Sequence, residues 1–347
     1  MKKNIAVVTG GHSGEYEISL KSAANIANSL DKNLYSVFLI HLCGGEWTFT
    51  DTDNAVYQIN KNDFTLTINE KKLFFDCVFI AIHGDPGENG KLQGYFDMLK
   101  IPYTGCDAAV SALTFNKNLC NRVLSSYGIK TADSVCLLKG ETIDEQAVLE
   151  AVGLPCFVKP CNSGSSVGMS KVNQKKELST AVKRAFEFDN QVLIEKFIHG
   201  REITCGVMKI NNRVQALAVT EVISKKEYFD FEAKYNPSLA DEITPANIPP
   251  RIEELCKKTS EQIYKVLNCK GITRSDFIYD EIETSLYFIE INTIPGQTNE
   301  SIIPKQIRYL GLDFTQLCTQ VIEEAITTQP SILQSSAASP FLLHCRN

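Results

Sequence analysis

The chain has 347 residues, of which 44% are hydrophobic and 22% charged, and this length is enough for two or three globular domains. The formal net charge is −6 and there is no long run of lysine or arginine, which argues against a nucleic-acid-binding protein. No apolar run approaches the roughly 18 residues that a membrane-spanning helix needs, so we expect a small-molecule ligand, no membrane span and no nucleic-acid partner.

The first part of the chain alternates short apolar runs, which have the length of buried strands, with segments that have the apolar spacing of helices. In chain order these segments are NIAVV, EISLKSAANIANSL, YSVFLIHL, DCVFIAIHG and GKLQGYFDMLK. The alternation is typical of an open α/β sheet. Residues 1–114 are therefore predicted to form an N-terminal α/β domain.

Strands and helices follow in a less regular order after this domain. Residues 115–206 contain a helix at TFNKNLCNRVLSSYG, then the strands ADSVCLL, PCFVKP and QVLIEKFI, with the helix KKELSTAVKRAFEF among them. Residues 207–328 contain the strand VQALAVTEVI, the helix RIEELCKKTSEQIYKVLN, a hairpin and a last helix around FTQLCTQVIEEAI. Each stretch is predicted to be an α+β unit. Residues 329–347 are rich in Ser, Ala, Gln and Pro without a period, which predicts a poorly ordered tail.

The cysteines and the N-terminus both indicate a reducing compartment. The 12 cysteines are scattered singly, and the nearest pair, Cys156 and Cys161, is not spaced as CxxC. We therefore predict reduced core thiols rather than disulfides or a zinc site. The apolar run NIAVV is too short for the core of a signal peptide, so a cytoplasmic protein is expected.

The hairpin places four polar residues on one face of two strands. Residues two apart on a strand share a face, so Arg274 pairs with Asp276 on the first strand and Glu290 with Asn292 on the second. A turn centred on Glu283 would set Asp276 opposite Glu290, and Arg274 opposite Asn292.

This polar face has two interpretations. It could be a solvated sheet face with an incidental ion pair, which contributes little. However, two carboxylates and an amide oxygen at cross-strand distance repel unless a cation lies between them, and such oxygen ligands suit Mg²⁺. In that case Arg274 is expected to be free to face an anion.

Two glycine-rich stretches were considered as phosphate-binding loops. In FVKPCNSGSSVGMSKV, a strand ending in Lys159 leads into small residues whose backbone N–H groups can approach phosphate oxygens, although an ordinary hairpin turn has the same composition. It matches neither GxxxxGK[ST] nor GxGxxG. The other stretch, GDPGENGKL, has a glycine spacing one residue too long for a P-loop, and Leu92 stands where the hydroxyl would be. No P-loop is predicted.

Two further stretches carry acidic residues at positions that could bind a ligand. In VLIEKFIHGREITC, Glu195 and Lys196 end a strand and Glu202 follows a glycine turn, an arrangement that suits an adenine edge and ribose hydroxyls but is also common among surface charges. In VVTGGHSGEYEISL, Glu15 lies in the first turn of a helix. A glutamate there either stabilises the helix dipole or binds a substrate ammonium group.

Taken together, these stretches resemble a known family. The matching motifs, in chain order, are GGHSGEYEISL, FIAIHGDPGENGKLQG, IPYTGCDAAVSALTFNK, VKP with GSSVGMSKV, VLIEKFIHGREIT, FEAKYN and IEINTIPGQTNESIIP. They have the order and spacing of D-alanine–D-alanine ligases, the ATP-grasp enzymes that make a dipeptide for bacterial peptidoglycan. The resemblance covers about residues 4–326 and implies an open α/β domain followed by two α+β units that enclose the nucleotide.

The resemblance also implies how nucleotide and metal bind. It implies ATP and two Mg²⁺ ions, with Mn²⁺ as an alternative metal, and Glu290 would bridge the two ions. The implied metal ligands are Asp276, Glu290 and Asn292. The implied nucleotide-binding residues are Lys117, Lys159, Glu195, Lys196, Phe197, Ile198, Glu202 and Lys234.

The implied reaction joins two D-alanines. The carboxylate of the first attacks the γ-phosphate of ATP, and the amine of the second attacks the resulting acyl phosphate. The implied substrate residues are Glu15, His83, Arg274, Ser301 and Ile302. Arg274 and the Gly296 N–H would stabilise the oxyanion, and Tyr235 would join Ser165 and Glu15 in a lid that excludes water.

Alternative functions are weighed on particular residues. A ligase with another second substrate, such as D-lactate, is the nearest alternative, and the presence of Tyr235 favours D-alanine. A dinucleotide-binding oxidoreductase is disfavoured because no GxGxxG follows VVTGG, and a non-catalytic nucleotide-binding module would have lost a metal ligand. Thr273, Ser275 and Ile294 depart from the family pattern, which puts loop geometry and affinity in question. The resemblance also implies a homodimer.

Overall fold

The computed structural model describes residues 2–224 and 240–328, which contain three β-sheets and nine α-helices. The elements are numbered here in chain order among those residues. The mixed α/β and α+β architecture expected from the sequence is confirmed.

The first sheet has seven strands in the order β6-β5-β4-β3-β2-β1-β7. Its strands are β1 (Lys3–Gly10), β2 (Tyr35–Cys43), β3 (Glu46–Thr50), β4 (Val56–Asn60), β5 (Thr65–Ile68), β6 (Lys71–Leu73) and β7 (Cys77–Ile80). β1 pairs in parallel with β2 and β7, whereas β3 to β6 form an antiparallel meander that the sequence pattern had not predicted. The helices of this unit are α1 (Tyr16–Ser29), α2 (Lys91–Leu99) and α3 (Ala108–Phe115).

The second sheet has four antiparallel strands in the order β10-β9-β11-β8. They are β8 (Ser134–Leu138), β9 (Cys156–Pro160), β10 (Ser170–Val172) and β11 (Gln191–Lys196), accompanied by α4 (Lys117–Ser126), α5 (Glu145–Val152) and α6 (Leu178–Ala185). The side chain of Asn116 caps α4 by accepting a hydrogen bond from the Leu119 N–H, which explains the break after α3. Lys117 is consequently the first residue of α4.

The third sheet has five strands in the order β14-β13-β12-β15-β16. They are β12 (Arg201–Ile210), β13 (Arg213–Ser224), β14 (Ala240–Ile243), β15 (Thr273–Asp280) and β16 (Ser285–Asn292), with α7 (Pro250–Val266), α8 (Ile302–Tyr309) and α9 (Phe314–Thr328). The boundary predicted between residues 206 and 207 lies within β12. The tail predicted at 329–347 lies outside the described residues.

The third unit packs back onto the first. α9 contributes Leu317 and Ile322 to a buried cluster that also contains Ile5 of β1. The contact also includes an ion pair, in which Lys3 Nζ lies 2.8 Å from Glu323 Oε1. This packing brings the start of α1 close to the β15–β16 hairpin.

The described cysteines agree with the prediction of reduced core thiols. Eleven are free, and nine of these are buried, whereas Cys43 is exposed. Burial raises the pKa of the Cys120 thiol to about 12, so this thiol stays protonated and unreactive.

Candidate active site

A cavity of about 820 Å³ is lined by residues from all three units. It is lined by twelve of the residues predicted for the site: Glu15, His83, Lys117, Ser165, Glu202, Arg274, Asp276, Glu290, Asn292, Gly296, Ser301 and Ile302. These residues come from sequence positions nearly 300 apart. The fold therefore gathers most of the predicted site into one space of the size that holds small-molecule ligands.

The hairpin has the register that the sequence predicted. Asp276 of β15 pairs with Glu290 of β16, and Arg274 pairs with Asn292. The register shifts after Asp276, where Phe277 pairs with Phe288 and leaves Ile289 as an extra residue on β16. This β-bulge compensates for a turn that lies half a residue from the predicted centre.

Arg274 is not free, which differs from the sequence-based expectation. Its Nε and Nη2 donate to the two oxygens of Asp276, each at 2.8 Å. Thr204 Oγ1 donates to Asp276 Oδ1 at 2.5 Å, and Asn292 Nδ2 donates to Asp276 Oδ2 at 3.0 Å. Burial alone would lower the pKa of Arg274, but the charge and hydrogen bonds of Asp276 raise it above its ordinary value. The guanidinium therefore stays charged.

The oxygen ligands available here fit a hard divalent cation. Asp276 and Glu290 supply carboxylates at adjacent positions, and Asn292 supplies an amide oxygen when its amide is turned. The four donors on Asp276 fill the roughly four lone-pair sites of a carboxylate, so a cation must displace at least one of them. Among the described residues no group of three or more His, Cys, Asp or Glu side chains is arranged to hold a metal. The donor set thus suits an ion that also keeps water or substrate oxygens, as Mg²⁺ does.

Lys117 brings positive charge to the other carboxylate. Its Nζ lies 3.4 Å from Glu290 Oε2 and donates to the Ser163 carbonyl oxygen at 2.6 Å. It therefore links the hairpin to the glycine-rich loop that follows β9.

Glu15 contacts the same glycine-rich loop. Ser165 Oγ donates to Glu15 Oε1 at 2.5 Å. A Cβ on Gly164 would lie 2.8 Å from Glu15 Oε2, so a larger residue there would force the loop or the Glu15 carboxylate to move. Ser165 and Ser166 have φ values of 51° and 58°, which are uncommon for residues other than glycine and mark a strained loop. Lys234 and Tyr235, the other residues predicted for the lid, lie outside the described residues.

His83 lies on the cavity wall with both ring nitrogens engaged. Nδ1 lies 2.8 Å from the Ile294 carbonyl oxygen and Nε2 lies 3.1 Å from Ser22 Oγ. Because a carbonyl can only accept, Nδ1 carries the proton and Nε2 accepts from Ser22. Burial lowers the pKa of His83, so the ring is neutral.

Glu88 is a buried carboxyl group that the sequence analysis did not select. Oε2 accepts from the Gly84 N–H at 2.7 Å, and Oε1 accepts from the Ile294 N–H at 3.2 Å. Burial raises the pKa of Glu88 to about 8, the charge of Glu15 acts in the same direction, and the two N–H donors oppose it. Glu88 lies in GDPGENGKL, the stretch rejected as a P-loop.

The start of α8 forms another wall of the cavity. The N-cap residue Ser301 makes no side-chain cap hydrogen bond among the described residues, so the first N–H groups of the helix are suited to an anion. The Ser301 hydroxyl is 2.8 Å from Thr298 Oγ1, and a Cβ on Gly296 would come within 2.9 Å of Ser301 Oγ. The hydrogen bonds among the described residues include none from the Gly296 N–H.

The predicted adenine segment lies outside this cavity, along β11. Lys159 and Glu195 form a buried ion pair, and Asn121 Nδ2 donates to Glu195 Oε1 at 2.9 Å. Lys196 Nζ lies 3.8 Å from Asp133 Oδ2. The Phe197 ring makes an edge-to-face contact with His199, with centroids 4.5 Å apart and an interplanar angle of 86°, and Ile198 follows it in the chain.

Several cavity residues carried no signal that sequence reasoning used. Thr204 contacts Asp276 directly, and Lys305 of α8 lies 3.0 Å from Glu242 of β14. Lys21 of α1 also lines the cavity. Thr204 lies two residues after Glu202 on β12 and therefore on the same face of the strand, and this period of two could have identified it.

No helix within residues 2–224 and 240–328 combines the length and apolarity that a bilayer crossing requires.

Family models for both halves of one enzyme match the chain. The model described as the N-terminus of D-ala D-ala ligase matches residues 4–106, and the model described as the C-terminus matches residues 123–323. Together they cover most of the described residues.

Similar proteins and structures give the same result. A D-alanine–D-alanine ligase of Flavobacterium johnsoniae is 44% identical over 321 residues, which cover 92% of this chain and 98% of that protein. The crystal structure of the VanG D-Ala:D-Ser ligase of Enterococcus faecalis is 33% identical with a TM-score of 0.81, covering 93% of this chain and 99% of that one. The Bacillus anthracis D-alanine–D-alanine ligase, solved in complex with ATP, is 30% identical with a TM-score of 0.76, covering 95% and 98%. The neighbours share the ATP-grasp fold expected from the sequence.

Proposed function

This chain belongs to the D-alanine–D-alanine ligase family, and from that premise we propose that it joins two D-alanines into D-alanyl-D-alanine at the cost of ATP. The observation that carries the proposal is the pairing of Asp276 with Glu290 and of Arg274 with Asn292 inside a cavity of about 820 Å³. Two carboxylates, an amide and a guanidinium in one water-accessible space suit the transfer of a phosphoryl group to a carboxylate. The product would serve peptidoglycan synthesis.

The nucleotide would lie between the second and third sheets. Asp276, Glu290 and Asn292 would hold Mg²⁺ ions, which when bound neutralise charge on the phosphate oxygens. Lys117, Lys159 and Lys234 would contact the phosphates. Glu195, Lys196, Phe197 and Ile198 would bind the adenine, and Glu202 the ribose. Arg274 would leave at least one oxygen of Asp276 when a cation binds there.

The first D-alanine would bind between α1 and the glycine-rich loop. Glu15 would accept the ammonium group, and Ser165, which donates to Glu15 at 2.5 Å, would orient that carboxylate. His83 would support this side of the site in its neutral form. The substrate carboxylate would then attack the γ-phosphate, so that a bond forms between the carboxylate oxygen and phosphorus and ADP leaves.

The second D-alanine would bind at the start of α8. Ser301 and the Ile302 N–H would hold its carboxylate, since uncapped N–H groups at a helix N-terminus favour an anion. Its amine would attack the acyl phosphate and expel phosphate. Arg274 and the Gly296 N–H would stabilise the oxyanion that forms. Tyr235 would complete a lid that excludes water, because an acyl phosphate hydrolyses.

The proposed function implies a division of the chain and a setting. Residues 1–114 would bind the first substrate, 115–206 the nucleotide, and 207–328 the metal and the second substrate. We propose a homodimer in the cytoplasm, where ATP is available.

A second substrate other than D-alanine is the alternative that an observation supports. The VanG neighbour is titled a D-Ala:D-Ser ligase and is 33% identical to this chain. D-Serine and D-lactate differ from D-alanine by one hydroxyl or by replacement of the amine, so the same cavity could accommodate them.

The experiment is a substrate panel. Purified protein with ATP, Mg²⁺ and D-alanine is expected to release phosphate and to yield a product with the mass of D-alanyl-D-alanine. D-Serine or D-lactate added as a second substrate at equal concentration should yield less mixed product. No D-alanine-dependent phosphate release would contradict the proposal, and a predominant mixed product would support the alternative.

A further inference from the structure

The backbone of Ile294 is held on both sides of its Cα by side chains from one loop. Its carbonyl oxygen accepts from His83 Nδ1 at 2.8 Å, and its N–H donates to Glu88 Oε1 at 3.2 Å. Glu88 Oε2 accepts from the Gly84 N–H at 2.7 Å, so the carboxyl group also fixes its own loop. His83 and Glu88 are 4% and 9% exposed, which keeps water from replacing these bonds.

Burying a carboxyl group is costly, and Glu88 does more than fill space. An apolar side chain could fill the position without the desolvation cost that raises the Glu88 pKa. The two hydrogen bonds that it accepts are both from backbone N–H groups, one in each of two distant segments. The group therefore fixes the distance between those segments.

The clamped residue, Ile294, lies two positions before Gly296, whose N–H is a proposed oxyanion donor. Pro295 follows Ile294, and its ring fixes its own φ and restricts the residue before it. Gly296 comes next and lies close to Ser301, where an added Cβ would be 2.9 Å from Ser301 Oγ. Because only Pro295 separates Ile294 from Gly296, a displacement of the Ile294 backbone would also move the Gly296 N–H.

We propose that Glu88 is a positioning residue. With His83 it fixes the backbone of Ile294, and it so places the Gly296 N–H to stabilise the oxyanion when the second amine attacks. The inference rests on the proposed function of the same cavity. Loss of the clamp should slow attack on the acyl phosphate more than it slows formation of the acyl phosphate. Water then has time to attack the phosphorus of the acyl phosphate, a step that forms no carbonyl oxyanion, so phosphate and free D-alanine form without dipeptide.

The test is the ratio of D-alanine-dependent phosphate to dipeptide, measured on the full chain with ATP, Mg²⁺ and D-alanine. The wild-type ratio is expected to be about one. Glu88→Met removes both acceptors at similar length and should raise the ratio about tenfold, because a misplacement of about 1 Å can slow a step on the order of 100-fold. Glu88→Gln keeps one acceptor oxygen and should give an intermediate ratio.

The ratio does not depend on how much of the protein is folded, which separates positioning from general stability. Glu177→Met is the matched control, because Glu177 Oε2 also accepts two backbone N–H groups, from Asn173 and Gln174, away from the cavity. Its ratio should stay at one. If Glu88→Met does not fold, Glu88→Gln decides alone. A ratio of one in the folded Glu88 variants, with an active wild type, would overturn the inference, whereas an inactive wild type would instead overturn the proposed function.

Discussion

Arg274 and Asp276 lie two residues apart on β15 and are joined by two hydrogen bonds of 2.8 Å between the guanidinium and the carboxylate. Both are proposed to act on different partners during the reaction, Asp276 on a cation and Arg274 on an oxyanion. Their pairing therefore holds each side chain in place, and cation binding at Asp276 would release Arg274 toward the substrate.

Asp276→Asn should abolish most of the activity. An amide at position 276 binds a divalent cation more weakly than a carboxylate does, because it carries no negative charge. We therefore expect a loss on the order of 10²–10³ in kcat/KM and a higher Mg²⁺ concentration at half-maximal rate. Mg²⁺ titration of the initial rate measures both. Asp280→Asn is the control, because Asp280 Oδ1 only caps the hairpin turn through the N–H groups of Ile282 and Glu283. An unchanged Mg²⁺ dependence in Asp276→Asn would contradict the metal assignment.

Gly164→Ala should weaken binding of the first substrate. The new Cβ would lie 2.8 Å from Glu15 Oε2, so the loop or the carboxylate must move. We expect a roughly tenfold increase in KM for D-alanine at the first site, from initial-rate kinetics, with KM for ATP little changed.

Gly94→Ala is the control for that substitution. Gly94 lies within α2, and no atom of the described residues lies within 4 Å of the added Cβ, so the variant should gain up to about 1 kcal/mol in stability at unchanged KM. An equal change of KM in both variants would exclude a local effect on Glu15.

Lys159→Met should destabilise the second unit. It leaves the Glu195 carboxylate buried with Asn121 as its remaining partner among the described residues, and removing one member of a buried ion pair costs about 3 kcal/mol. Urea unfolding measures this loss. Adding Glu195→Leu should restore much of the stability, since no unpaired charge then remains. No recovery in the double variant would show that Lys159 acts through other contacts.

Glu88 predicts a particular pH dependence of stability. Its pKa is raised from 4.5 to about 8 by burial and by Glu15, so the folded state binds this proton more tightly than the unfolded state does. The stabilisation is complete below about pH 4.5 and is lost as pH rises toward 8, by at most about 1.4 kcal/mol per unit. Glu88→Met should flatten the unfolding free energy over this window. Parallel pH profiles for wild type and variant would contradict the shift.

How far the sequence predicts the site depends on the kind of residue. The period of two placed Arg274, Asp276, Glu290 and Asn292 on one face, because successive side chains of a strand point to opposite faces. Their pairing followed from the turn expected at Glu283. It did not give the bulge at Ile289, which depends on packing against the neighbouring strand. Nor did it show that Arg274 bonds to Asp276, since the isolated pattern does not reveal which partner a long side chain selects.

Other features had no local signal. The meander β3 to β6 contains strands of three to five residues with mixed burial, which are too short for periodicity to identify. α8 has only eight residues and includes Pro304. Glu88 was overlooked because its role comes from Ile294, more than 200 residues away. Long-range contacts of this kind follow from the tertiary fold.

The central claim is that a D-alanine carboxylate is phosphorylated in this cavity, and transfer of ¹⁸O tests it most directly. D-Alanine labelled with ¹⁸O in its carboxylate is incubated with the wild-type protein, ATP and Mg²⁺, and the released phosphate is analysed by mass spectrometry. The account predicts one labelled oxygen in each phosphate that accompanies a dipeptide, because the carboxylate oxygen that attacks phosphorus leaves with it. Phosphate without label, formed alongside the dipeptide, would contradict it.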